Sequence, residues 1–171
     1  MKILIAASGK LGFETLKFLL GKIEIVGIIT DKKSEEIINF ALEKKIDLVA
    51  GNPRLHRNKL KCKMLFKEVD LLFSINFLYL FDEDLLSISK GLSLNIHGSL
   101  LPKYRGRAPH IWSIINGEKE VGITIHKIDI GCDTGDILIQ ERIEISNEIT
   151  GGDVLSLKKK KYPHLVLKAI D

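Results

Sequence analysis

Three side chains in this sequence could together perform acyl transfer: Asn95, His97 and Asp133. An amide can donate hydrogen bonds to a carbonyl oxygen that is becoming an oxyanion. An imidazole can take or give a proton, and a carboxylate can orient the ring or accept the proton itself. Asn95 and His97 close the apolar run Leu94-Asn95-Ile96-His97, and Gly98-Ser99-Leu100-Leu101-Pro102 turns the chain at once. Asp133 sits in the Gly-bounded stretch Gly131-Cys132-Asp133-Thr134-Gly135, after a run through Ile123, Ile125 and Ile128. Singly, each has an ordinary reading: Asn-x-His as a satisfied polar pair, and Asp133 as a turn residue. Their joint occurrence with Ser99-Leu100-Leu101-Pro102 favours a catalytic site. A metal reading of His97, His110, His126 and Cys132 is weak, because the spacings match no metal signature. His126 alternates with Ile125 and Lys127, so it is expected to line the same cleft.

Such groups must be delivered by strands that end together. The pattern predicts a strand over 2–7, a turn at Ser8-Gly9-Lys10-Leu11-Gly12, and a helix with Phe13, Leu16 and Leu20 on one face. A strand over 23–29 completes a βαβ unit. Gly9-x-x-Gly12 lacks the full dinucleotide fingerprint and reads as an ordinary turn. A helix over 34–45 has Ser34 as its cap, a short strand covers 47–50, and strands follow over 69–75 and 91–96 with a helical 82–89 between them. The stretch 54–67 carries Arg54, His56, Arg57, Lys59, Lys61, Lys63 and Lys67, which reads as a solvated face, with an anion-facing patch as the alternative. A helix over 110–116 and strands over 121–128 and 137–145 come next. The last helix, 153–170, is expected to break near Lys158 to Pro163, since an interior proline costs about 3 kcal/mol. Leu101-Pro102 is a candidate cis peptide. The alternation implies an α/β fold with an open, mostly parallel, Rossmann-like sheet in three layers, and ligands beyond the strand ends.

The 171 residues, 45% hydrophobic and 28% charged, suit one soluble domain over 1–171 with a short closing segment after about 150. No apolar run approaches the roughly 20 residues that cross a bilayer. Cys62 and Cys132 form no CxxC pair and are expected to be reduced thiols in a cytoplasmic protein. The net charge of +4 fits an anionic ligand.

Asn95-x-His97-x-Ser99-Leu100-Leu101-Pro102-x-Tyr104-Arg105-Gly106, then Gly122-x-Thr124-x-His126, then Asp133-x-Gly135-x-Ile137 resembles the formyltransferases that use 10-formyltetrahydrofolate. The likeness is dense from Gly91 to Gln140. It implies Asn95, His97 and Asp133 as the catalytic groups. It implies that 10-formyltetrahydrofolate is gripped by Leu78, Tyr79 and Leu80 and by Ile128, Asp129 and Asp133, with Tyr104, Arg105, Arg107 and Thr124 toward the acceptor and no metal. In that chemistry an amine attacks a formyl carbon, Asn95 and a protonated His97 steady the oxyanion, and Asp133 favours the cationic ring.

Within the family the acceptor varies. The turn after the first strand departs from the Gly-x-Gly-Ser-Asn of the glycinamide ribonucleotide enzymes. Lys103-Tyr104-Arg105-Gly106-Arg107-Ala108-Pro109, with Phe73-Ser74, most resembles the enzymes that formylate a nucleotide-linked amino sugar, as in UDP-4-amino-arabinose. That implies a small-molecule amine, no membrane and no nucleic acid, with a homodimer left open. The alternatives are a methionyl-tRNA formyltransferase-like domain with tRNA as partner, a formyltetrahydrofolate hydrolase, and a non-catalytic folate-binding remnant. The chain is short even for the sugar enzymes, so an abbreviated tail is expected.

Overall fold

The computed structural model describes residues 1–170. The elements follow in chain order: β1 Lys2–Ala7, α1 Gly9–Leu19, β2 Glu24–Thr30, α2 Glu35–Glu43, β3 Leu48–Ala50, α3 His56–Leu65, β4 Val69–Ile75, α4 Glu83–Leu86, β5 Ser89–His97, α5 Pro109–Ile115, β6 Glu120–Lys127, β7 Ile137–Glu144 and α6 Gly151–Ile170. The sheet runs β3-β2-β1-β4-β5-β6-β7. Ladders β1–β2, β1–β4 and β2–β3 are parallel, and β6–β7 is antiparallel. The fold is α/β, as the alternating pattern implies. The chain divides into two compact units, Met1–Leu94 and the residues from Asn95 onward, with the boundary inside β5.

In the first unit β1 and β4 are almost wholly buried, as continuous apolar strands of a parallel sheet should be. α1 buries Leu11, Gly12, Thr15, Leu16 and Leu19. The apolar face is therefore turned from the expected Phe13-Leu16-Leu20 stripe; Phe13 instead meets the Phe40 ring edge-on at 5.8 Å. Ser34 stands at the N-cap of α2 without capping through its side chain. Its hydroxyl donates to Asp31 and accepts from the Gly9 N–H at 2.9 Å. In the basic stretch, Lys59 pairs with Asp82 at 2.6 Å and Lys63 with Asp84 at 2.9 Å. Those pairings agree with a solvated face.

In the second unit α6 packs on β6 and α5. It is one helix over 20 residues with Pro163 inside it, so the expected break does not occur. Val154, Lys158, Tyr162, Leu165 and Val166 form one buried stripe at helical spacing. Burying that stripe outweighs the lost backbone hydrogen bond at the proline. No helix among the described residues is long and apolar enough to cross a membrane.

Candidate active site

β5 alternates, so Asn95 and His97 share one face while Leu94 and Ile96 go into the core on the other. On β6 the same alternation sets Gly122, Thr124 and His126 together. Gly122 is required there by closeness: a Cβ would lie 2.3 Å from Leu100 Cδ2 and 2.8 Å from the Glu141 carbonyl. The β6–β7 register shifts between Ile125 and His126, and such irregularities re-aim a side chain. The turn after β5 includes a cis Leu101–Pro102 bond, and Tyr104 and Asp133 both adopt left-handed backbone, at φ 56° and 54°. That conformation costs a non-glycine residue something, least for Asp and Asn. Here both residues touch His97.

Asn95, His97 and Asp133 converge. The Asp133 Oδ2 lies 3.4 Å from His97 Nδ1, and its Oδ1 lies 3.3 Å from Asn95 Nδ2 and 3.4 Å from His126 Nε2. The Gly106 N–H donates to Asp133 Oδ2 at 2.8 Å. His97 Nε2 lies 2.8 Å from the Tyr104 carbonyl and must donate to it. His126 Nδ1 lies 2.7 Å from the Lys127 carbonyl and donates to it, and its Nε2 lies 3.0 Å from Asn95 Nδ2.

Burial works against the charge of Asp133. Contact with the His126 ring, the charge of His97 and the Gly106 N–H together outweigh it and hold the carboxyl at about 2. For His97 the balance goes the other way. Burial is the largest effect and lowers its pKa, and with the charges of His126 and Lys158 it outweighs Asp133 and the Tyr104 carbonyl, which raise it. The expectation of a ring held cationic by Asp133 is therefore corrected: the resting His97 favours the neutral form, because desolvation is the larger effect.

Other residues expected at the site are placed less uniformly. Thr124 is completely buried. Its hydroxyl donates to the Ser99 carbonyl at 2.7 Å and accepts from the Leu101 N–H at 3.2 Å and Gln140 Nε2 at 3.0 Å. A hydroxyl has one hydrogen and two lone pairs, so Thr124 has no capacity left for a substrate; it pins the turn after β5. The Tyr104 hydroxyl is engaged by Glu118 at 2.8 Å and Asn116 at 3.1 Å. Tyr104 thus reaches the site through its carbonyl. Arg105 and Arg107 are exposed. Asp129 accepts from the Gly131 N–H and Thr134 Oγ1 within its own loop, and Ile128 beside it is half-buried. In the first unit Leu78 and Leu80 are exposed, and the Phe77 ring packs against Tyr79 and Phe81 at 5.5 and 5.4 Å. No group of three or more metal-ligating side chains occurs among the described residues.

The membership of His126 in the cluster was signalled by its alternation along β6. Lys158, 2% exposed, has its ammonium on the Gly98 carbonyl; its place on the Val154–Tyr162 stripe was a signal that the lysine run concealed.

A family model described as Formyl transferase matches residues 15–170. The chain belongs to the formyl transferase family. It is 34% identical over 164 residues to the methionyl-tRNA formyltransferase of Ruminiclostridium cellulolyticum, covering 90% of this chain and 53% of that one. The chain thus spans about half the length of the curated relatives it matches. Among solved structures, the phosphoribosylglycinamide formyltransferase of Bacillus halodurans superposes with a TM-score of 0.82 at 25% identity, covering 100% of this chain and 96% of its own. WlaRD, a sugar 3N-formyltransferase solved in the presence of dTDP and 5-N-formyl-THF, gives 0.81 at 29%, covering 99% and 61%. This formyl transferase fold is the one that the dense motif between Gly91 and Gln140 implies.

Proposed function

We propose that this chain carries the catalytic part of an enzyme that moves a formyl group from 10-formyltetrahydrofolate to a primary amine. The observation that carries the reading is the Asp133 carboxylate, charged at neutral pH, within 3.4 Å of both His97 Nδ1 and His126 Nε2 and 3.3 Å of Asn95 Nδ2.

The acceptor nitrogen attacks the formyl carbon; a C–N bond forms and the carbonyl π pair moves onto oxygen. Asn95 trades its longer contact, the one to Asp133, for that oxyanion. A well-aimed donor of this kind lowers the barrier by about 2.7–4 kcal/mol. The proton shed by the amine goes to the neutral His97 at Nδ1, where Asp133 stabilises the resulting imidazolium. The bond from the formyl carbon to folate N10 then breaks, its electron pair returns to N10, and the oxyanion collapses to the new formamide. N10 takes the proton from His97, directly or through water. No covalent intermediate on the protein is needed. The family implies folate contacts with the backbone around Leu78 to Leu80, where Leu78 and Leu80 are exposed, and with Ile128, Asp129 and Asp133.

For the acceptor we favour the amine of methionyl-tRNA, which the names of the curated relatives support and which a net charge of +4 suits. A nucleotide-linked amino sugar is the second reading. The exposed Arg105 and Arg107, beside the cluster in sequence, favour it because guanidinium groups grip diphosphates bidentately. The test incubates the chain and 10-formyltetrahydrofolate with methionyl-tRNA, with UDP- and dTDP-amino sugars, and with no acceptor, read by mass. Formyl-methionyl-tRNA alone supports the first acceptor, and a formylated sugar replaces it with the second. Formate without any acceptor identifies a hydrolase, and binding without turnover overturns the catalytic reading.

A further inference from the structure

Behind the cluster lies a charged group that the transfer as described does not use. Lys158 is on the α6 stripe, 2% exposed, and its ammonium donates to the Gly98 carbonyl at 2.5 Å. Gly98 is the residue directly after His97. A Cβ at position 98 would lie 3.1 Å from Lys158 Nζ, 3.1 Å from the Tyr162 hydroxyl and 3.3 Å from Pro109 Cγ. The ammonium and the phenol thus lie close against this peptide. Removing an ammonium from water is expensive, and a leucine or methionine would fill the stripe without that cost.

We propose that Lys158 is a positioning residue for the transfer: its ammonium holds the peptide after His97 and sets, through its charge, how readily that ring takes a proton. This rests on the reading of His97 as the proton carrier. The ionisable groups around the ammonium are few. His97 at the end of β5 and His110 on α5 both feel its charge, Tyr162 is one turn along α6, and Asp133 faces both His97 and Tyr162. Burial alone brings the Lys158 ammonium down to about 8, so it is charged at neutral pH and sheds its proton just above. While charged it disfavours a second cation on His97, which keeps the ring neutral and ready to accept the amine proton. Asp133 opposes it from the other side. The ring is thus held between a buried cation, with His126 acting on the same side, and the half-buried Asp133 carboxylate, and loss of Lys158 or Asp133 shifts its proton affinity in a known direction.

The experiment follows the His97 ring by NMR across pH, on the whole chain without folate or acceptor. In the wild type the ring signals should titrate once for the ring and respond again near pH 8, when Lys158 loses its proton. In Lys158→Met the step near pH 8 should vanish, and the ring's proton affinity should rise by about threefold or more, the scale of removing one nearby charge. Lys158→Arg, which keeps the charge, should leave the ring's midpoint where it is. A wild-type ring that ignores the step near pH 8, or an unchanged midpoint in a folded Lys158→Met, overturns the proposal. If the methionine variant does not fold, the wild-type titration decides alone. Since the readout is the ring and not turnover, failure here is separable from failure of the formyl-transfer reading.

Discussion

Each unit of the molecule holds an aspartate in the loop that follows a strand, Asp31 buried and Asp133 half-buried, and the two are used differently. Asp31, after β2, accepts from the Ser34 hydroxyl at 2.5 Å and the Lys33 N–H at 2.8 Å, all within its own turn. Burial opposes its charge, and these bonds, with the Ser8 hydroxyl, still bring its carboxyl below the ordinary value. Asp133 instead draws its partners from β5, the loop after it and β6: Asn95, His97, Gly106 and His126. The partners of Asp31 are neutral donors that do not titrate near neutral pH, so no proton there has anywhere to go. Two partners of Asp133 are imidazoles, one of them with its proton affinity lowered by burial. A carboxylate satisfied locally holds a turn, whereas one satisfied by titratable groups from several elements can take part in chemistry.

The largest separation should appear in turnover with 10-formyltetrahydrofolate and the preferred acceptor. His97→Ala and Asp133→Asn should each reduce it by about 10² or more, while Asp31→Asn should stay within about threefold, as befits a purely structural carboxylate. Asparagine tolerates the left-handed backbone at 133, so that variant isolates the charge. Equal losses from the two aspartate variants would collapse the distinction drawn here.

The acid dependence of stability sharpens the same contrast. Asp133 has a folded value of about 2 against an ordinary 3.8. Its contribution, about 2 kcal/mol, is fully present above the unfolded value and is lost as pH falls through the folded one. Chemical denaturation from pH 6 down to pH 2 should therefore show a shallower decline for Asp133→Asn than for wild type. A parallel decline would mean that the charge is not held as described. Lys158 moves stability in the same direction, in the alkaline range. Its folded value lies below the unfolded one, so the cost of burying its charge is relieved as pH rises from about 8 toward 10.5.

The smallest effect concerns the support beneath the cluster. Thr124→Val keeps the shape but strips the partner from the Ser99 carbonyl and the Leu101 N–H. It should cost about 1–3 kcal/mol of stability and leave the apparent affinity for acceptor unchanged. A selective loss of acceptor affinity at full stability would return Thr124 to the substrate side.

Most strands were legible because each is a local apolar run bounded by turn residues: 2–7 and 69–75 coincide with β1 and β4. The grouping of Asn95, His97 and Asp133 was legible only in their joint pattern with Ser99-Leu100-Leu101-Pro102, since each alone reads as an ordinary strand-end or turn residue. The face of α1, the continuity of α6 through Pro163 and the role of Thr124 were not legible. Each depends on which distant residues come to lie opposite, and neither propensity nor periodicity carries that information.

The sequence by itself determined the α/β alternation, the elements that carry the polar groups, and the motif that marks the family, all written in short-range spacing. Only the tertiary structure decided how those groups are charged. Protonation depends on the sum of desolvation and neighbouring charge at one point in space. At His97 that sum includes Asp133, Tyr104, His126 and Lys158, drawn from segments up to 61 residues away along the chain (158 minus 97). Burial outweighs the carboxylate there, and the ring rests neutral.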